Sequence, residues 1–150
     1  MPRPNDQTTK RQNDKPPRLA PADYTTLARA APRLILVWAL LPATGIARLR
    51  RWLGKRAEPK GRAPEYNPEL WHRRTIAIRR IGTRLPGCHC LARSITLSNW
   101  LNRTGHPNTL KIGITGTSTT LKSHSWVEKE GKILDDTPEN IQKFKKITEI

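Results

Sequence analysis

The sequence predicts an α+β fold, with helices through the first hundred residues and a small antiparallel sheet after them. Three observations carry this. Apolar residues recur at helical spacing between Leu34 and Leu101, the period changes to two beyond Gly105, and Pro/Gly-rich stretches separate the segments. The 150 residues suffice for one domain, or for a small domain with a tail. Apolar residues make up 35%, and even with the 9 glycines added this stays below the ~45–50% of a compact soluble domain. Part of the chain is therefore expected to lie outside any core.

In chain order, residues 1–26 hold prolines, amides and charges with almost nothing to bury, and read as a disordered basic arm. Residues 27–56 are apolar and basic. Leu34, Val37, Leu40 and Leu41 form one helical stripe, and Ile46, Leu49 and Leu53 form a second after Pro42 and Gly45 interrupt it. Two short N-terminal helices are expected there. They serve either as packing elements or as a basic amphipathic surface, with Arg48, Arg50 and Arg51 flanking the second. Residues 57–68, with three prolines and a glycine, read as a linker. Glu69 to about Thr83 is the next helix, placing Leu70, Ile76 and Ile78 among Arg73, Arg74, Arg79 and Arg80, and Leu85-Pro86-Gly87 ends it. A further helix runs from Cys90 to about Arg103, with Leu91, Ile95, Leu97 and Leu101 inward and Gly105 as its stop. LKIGITG, TLKSHSWVEK and KILDD follow as three short strands, and Glu139 to Ile150 reads as a last short helix. Residues 69–150 thus form the expected core domain.

Composition excludes several classes. Cys88 and Cys90, one residue apart, cannot supply a disulfide framework. The polar N-terminus lacks the apolar region of a signal peptide. Leu34 to Ala43 is an apolar run of ten residues containing Pro42, short of the ~20 a bilayer requires, so no transmembrane segment and a cytoplasmic location are expected. The 28 basic and 12 acidic residues leave a net charge of +16, distributed as +10 over residues 1–62, +5 over 63–110 and +1 over 111–150. Such an excess suits phosphate. Aromatic residues are only 5%, however, and no stacking platform or nucleic-acid-binding motif accompanies the charge.

The residues able to do chemistry lie in the second half. Cys90 starts a helix after a Pro-Gly turn, where backbone N–H groups and the helix dipole favour a thiolate, a nucleophile that needs only a base. The same position also suits an inert packing thiol. His124 lies on the second strand. With Lys129-Glu130-Gly131 as a three-residue hairpin loop, Glu128 faces Lys132, Trp126 faces Leu134 and His124 faces Asp136. Asp135 then points to the other face, and a register slip of one residue would exchange the two aspartates. Cys, His and Asp in this order have the logic of a cysteine hydrolase: nucleophile, general base and orienting carboxylate. His124 and Asp136 also fit a surface pair on a hairpin. Three consecutive residues, Cys88-His89-Cys90, cannot all reach one zinc in good geometry, and no C-x-x-C partner exists, so no metal site is expected.

The runs RLPGCHCLARSITLSNWLNRTGHP and HSWVEKEGKILDD together resemble the stand-alone transglutaminase-like B proteins of lasso-peptide biosynthesis, the leader peptidases of those pathways. The shared pattern falls on Cys90, Leu91, Arg93, Ser94, Gly105, His124, Trp126, Val127, Glu128 and Asp136. It covers residues 70–140 strongly and 27–56 loosely, and Cys88 departs from it. The resemblance implies a papain-like/transglutaminase-like core, a helix carrying Cys90 packed on a small antiparallel sheet. It implies a Cys90–His124–Asp136 triad, without metal or cofactor, that cuts between the leader and core of a ribosomally made precursor. It also implies partners: the precursor's leader, a separate leader-recognition-element protein, and the macrolactam-forming cyclase. Arg48, Arg50 and Arg51 are candidates to contact that recognition protein or its leader. The alternatives are a basic nucleic-acid- or membrane-binding accessory protein, and acyl transfer or deamidation by the same triad.

Overall fold

A computed structural model describes residues 20–53, 64–117 and 119–149. The expected arm lies outside these residues up to position 19, as does the expected linker from 57 to 63. Four helices and four strands follow in the order α1 (Pro21–Leu53), α2 (Pro68–Gly82), α3 (Cys90–Arg103), β1 (Thr109–Thr115), β2 (Lys122–Lys129), β3 (Lys132–Ile133), α4 (Pro138–Ile141) and β4 (Lys145–Glu149). The strands make one antiparallel sheet in the order β3-β2-β1-β4. This is the mixed helix-and-sheet architecture expected from the sequence, with the helix that carries Cys90 packed on a small antiparallel sheet.

α1 starts earlier and breaks later than expected. Residues 21–26, assigned to a disordered arm on composition, are helical, because Asp23 accepts a hydrogen bond from the Ala20 N–H at 2.8 Å and so caps the first turn. Pro32 and Pro42 lie inside the helix, and the backbone leaves helical geometry only at Gly45, where φ is 66°. The apolar run therefore belongs to a 25-residue helix, Pro21–Gly45, that contains an 18-residue window of mean hydropathy 1.3, long and apolar enough to cross a membrane by length and composition. One side of it packs on α2 and α3 through Ala30, Leu34 and Val37. Leu40, assigned to that stripe, faces outward instead, since the buried spacing is i, i+4, i+7 from Ala30.

Asn67 caps α2 by accepting from the Leu70 N–H at 3.0 Å, with Pro68 at the first helical position. Trp71, Thr75, Ala77, Ile78 and Gly82 are its buried residues, and Leu70 is exposed. α3 lies between the other helices and the sheet, touching α1 and α2 on one side and β1 and β2 on the other. Ile95, Leu97, Trp100 and Leu101 are buried there against Leu110 and Val127 of the sheet. The C-terminal segment corrects the last expectation. Its helix is only the four residues of α4, and Lys145–Glu149 pair with β1 as an edge strand.

Candidate active site

Cys90 is the first residue of α3. The approach is a tight turn in which Gly87 takes φ 66° and the Cys88 N–H donates to the Leu85 carbonyl at 3.2 Å. α1 holds this turn from outside, since the Trp38 indole N–H donates to the Pro86 carbonyl at 3.1 Å. His89 caps α3 with no side-chain hydrogen bond, so no side-chain acceptor competes for the N–H groups of the first turn beside Cys90.

Cys90 sits at the junction of two cavities. One, of about 740 Å³, is shared with His124 and is walled by Trp38, Leu41 and Pro42 of α1. The other, of about 270 Å³, is polar and lined by Arg79, Arg93, Ser94, Asp135 and Asp136. Cys88 borders the first cavity, but its Cβ–Sγ side is pressed toward Gly82. Burial pushes its thiol above the ordinary value, and the nearby Arg93 only partly opposes this. Of the two thiols, Cys90 is therefore the one with access to both cavities.

His124, in the middle of β2, uses Nε2 to bond Asp136 Oδ2. This leaves Nδ1 as the ring nitrogen able to serve a thiol. Its ring is held between Trp126, stacked at 6.3 Å between centroids, and Phe144, at 5.0 Å. Gly113, the cross-strand partner of His124, makes room for both. A Cβ there would stand 2.9 Å from Phe144 Cβ and 3.1 Å from Trp126 Cη2. Asp136 is itself fixed, accepting from the Thr137 N–H at 2.7 Å and from Asn140 Nδ2 at 2.9 and 3.1 Å. Burial works to raise its pKa, but the hydrogen bonds from Thr137, Asn140 and His124 outweigh it, and the carboxyl titrates below its ordinary value.

The hairpin that joins these residues departs from the expected register. Lys129 pairs with Lys132 and Glu128 with Ile133, so the loop is the two residues Glu130-Gly131, both at positive φ (51° and 76°). That is a slip of one residue. It does not exchange the aspartates, because the ladder ends at Ile133 and the chain bends before reaching them. Asp135 turns inward instead, and is not the bystander that strand alternation implied. Its Oδ1 accepts from the Val127 N–H at 2.8 Å, where a strand carbonyl would otherwise be needed, and its Oδ2 lies 2.7 Å from Ser94 Oγ. Ser94 also donates to the Ser125 carbonyl at 3.0 Å, and Arg79 donates to the Asp135 carbonyl at 3.0 Å. Burial pushes the Asp135 carboxyl up.

The structure thus brings Cys90, His124 and Asp136 to one place, and adds Asn140, Phe144 and Gly113, which no motif had marked. Arg48 is exposed on α1 and outside both cavities, and the side chains of Arg50 and Arg51 lie outside the described residues. Among the described residues no group of three His, Cys, Asp or Glu side chains is gathered as a metal ion would need.

A family model described as transglutaminase-like superfamily matches residues 33–149. Comparison with curated proteins and with solved structures gave no match.

Proposed function

The chain belongs to the transglutaminase-like superfamily, which includes cysteine peptidases and acyltransferases, and from that premise we propose that it is a cysteine peptidase that removes the leader from a lasso-peptide precursor. One observation supports the chemistry most: Cys90 and His124 line a single cavity, with the far ring nitrogen of His124 bonded to Asp136. In this reading His124 Nδ1 takes the Cys90 thiol proton and the sulfur attacks the carbonyl of the scissile bond. The imidazolium, steadied by Asp136, returns the proton to the leaving amine. Water then adds to the thioester, releasing the acid and restoring the thiol. The uncapped first turn of α3 is a source of N–H donors for the oxyanion.

The choice of substrate is supported by the motif run around Cys90 and His124 and by the cavity of about 740 Å³ between α1 and the site. The recognition-element protein and the cyclase belong to the same proposal. Arg48, Arg50 and Arg51 are its candidate docking charges, and reversing all three should weaken capture of the recognition protein in a salt-dependent manner. Capture indifferent to both salt and charge would remove that contact.

The test of the chemistry is cleavage of a precursor peptide followed by mass spectrometry. Cys90→Ala should abolish product with the fold intact, and Cys88→Ala should retain most activity. An active Cys90→Ala variant would end the proposal. Acyl transfer is the second reading, because the superfamily match covers it, and the product decides: hydrolysis adds water to the acyl fragment, whereas transfer adds the supplied amine.

A further inference from the structure

The outward side of α1 has no role in the chemistry and no partner within the fold. Between Leu34 and Ala43 every exposed residue is apolar: Ile35, Leu36, Ala39, Leu40, Pro42 and Ala43. Ile35 and Leu36 are 46% and 47% exposed. With Ala28 and Pro32 the same face extends over sixteen residues, about 24 Å at 1.5 Å per residue. Exposed Arg29 and Arg33 run along one edge of it, Arg33 with its guanidinium over the Trp100 ring at 4.6 Å, and exposed Arg48 follows beyond the Gly45 break. From Tyr24 to Ala57 the sequence has seven basic residues and no acidic one. Between Leu34 and Ala43 this face exposes no polar side chain to specify a protein partner. Apolar residues flanked by arginines match a bilayer interface, where acyl chains take the stripe and anionic headgroups take the guanidinium groups.

We propose that the outer face of α1 docks this protein on anionic lipid surfaces, lying in the interface plane with its inner face still packed on α2 and α3. Trp38 and Leu41, on the other side of α1, wall the cavity shared by Cys90 and His124, and Pro42 at the end of the outer face borders it, so the site would sit close to the membrane plane. The docking does not depend on the peptidase reading.

Flotation of the full chain with vesicles tests this, using phosphatidylcholine alone and phosphatidylcholine with phosphatidylglycerol. The chain should float with the anionic vesicles, at least tenfold more than with neutral ones, and raised salt should weaken the association. The double substitution Ile35→Glu/Leu36→Glu should lower flotation at least tenfold with circular dichroism unchanged. Leu121→Glu, at an apolar residue 63% exposed elsewhere, should leave it intact. Cys90→Ala should float as the wild type does, which keeps this result separate from any failure of the cleavage assay. Absence of flotation, flotation indifferent to the double substitution, or a soluble dimer dispersed by it without vesicle binding would each overturn the proposal.

Discussion

At the residue scale, two adjacent aspartates divide two tasks. Asp136 is held in its ionised form by Thr137, Asn140 and His124, which suits the proposed role of orienting an imidazole and facing an imidazolium. Asp135 is buried and ties the end of β2 to α3 through the Val127 N–H and Ser94. Ser94 has one hydroxyl proton and two acceptors, the Ser125 carbonyl and Asp135, so a side chain able to donate at position 135 completes the arrangement. Asp136→Asn should therefore cut turnover by at least ~100-fold, toward the ~10⁴ lost when a related serine triad loses its carboxylate, with little change in Tm. Asp135→Asn should stay near wild type in both. Asp135→Ala, which strands the Val127 N–H and Ser94, should cost about 1–3 kcal/mol in denaturant unfolding. Equal kinetic losses in the two Asn variants would mean that the orienting role is misassigned.

At the scale of elements, β1 and β4 shape the surroundings of His124 through a gap. Gly113 stands opposite His124 at the point where the β1–β4 register shifts, and Phe144, just before β4, fills the space its missing side chain leaves. Gly113→Ala puts a methyl group against Phe144, the Lys145 carbonyl and Trp126. Overpacking of this kind typically costs about 1–3 kcal/mol, and here it should also displace the rings that hold His124. Thermal melting should show the lower stability, and cleavage should fall further than unfolding alone explains. A variant with wild-type Tm and rate would mean that the sheet yields at this point without moving the imidazole.

At the scale of the whole molecule, a second cluster joins the helices to the sheet on the far side from the thiol. His106 is buried edge-on to Tyr66 and Trp71, and Trp71 meets Trp100. Arg74 lies over both tryptophan rings, at 4.3 and 4.5 Å, and Lys129 over Tyr66 at 4.7 Å. Burial, then Lys129 and Arg74, holds the His106 pKa below its ordinary 6.5. The unfolded chain therefore binds this proton more readily, and the contribution of neutral His106 is present above pH 6.5 and is lost as pH falls toward the folded pKa. Between pH 7 and pH 5 the wild-type Tm should fall further than that of His106→Phe, which keeps an aromatic ring and removes the titration. Parallel pH profiles would show that His106 does not carry this dependence.

The order of elements from α2 to β3, the bounds of α3 and the candidates Cys90, His124 and Asp136 were legible in the sequence. Each rests on local chemistry: a 3.6-residue period, a Pro-Gly turn before a helix, alternation along β2, and residue types set in order. The rest depends on contacts between segments far apart in the chain. The start of α1 turned on one Asp cap, and its orientation on which side α2 and α3 covered, so Leu40 faces outward although its spacing fits an inward stripe. The final residues became an edge strand because β1 offered an open edge, a fact no window of twelve residues contains. The hairpin argument selected Asp136 by a register that does not occur. Asp136 reaches His124 because β3 stops after two residues and Asp135 is drawn inward by Ser94 and Val127. Sequence alone determined which groups could react, since reactivity belongs to residue type and local backbone. The tertiary structure decided which of them meet, because their approach depends on where each strand ends and on what the buried polar groups beside it require.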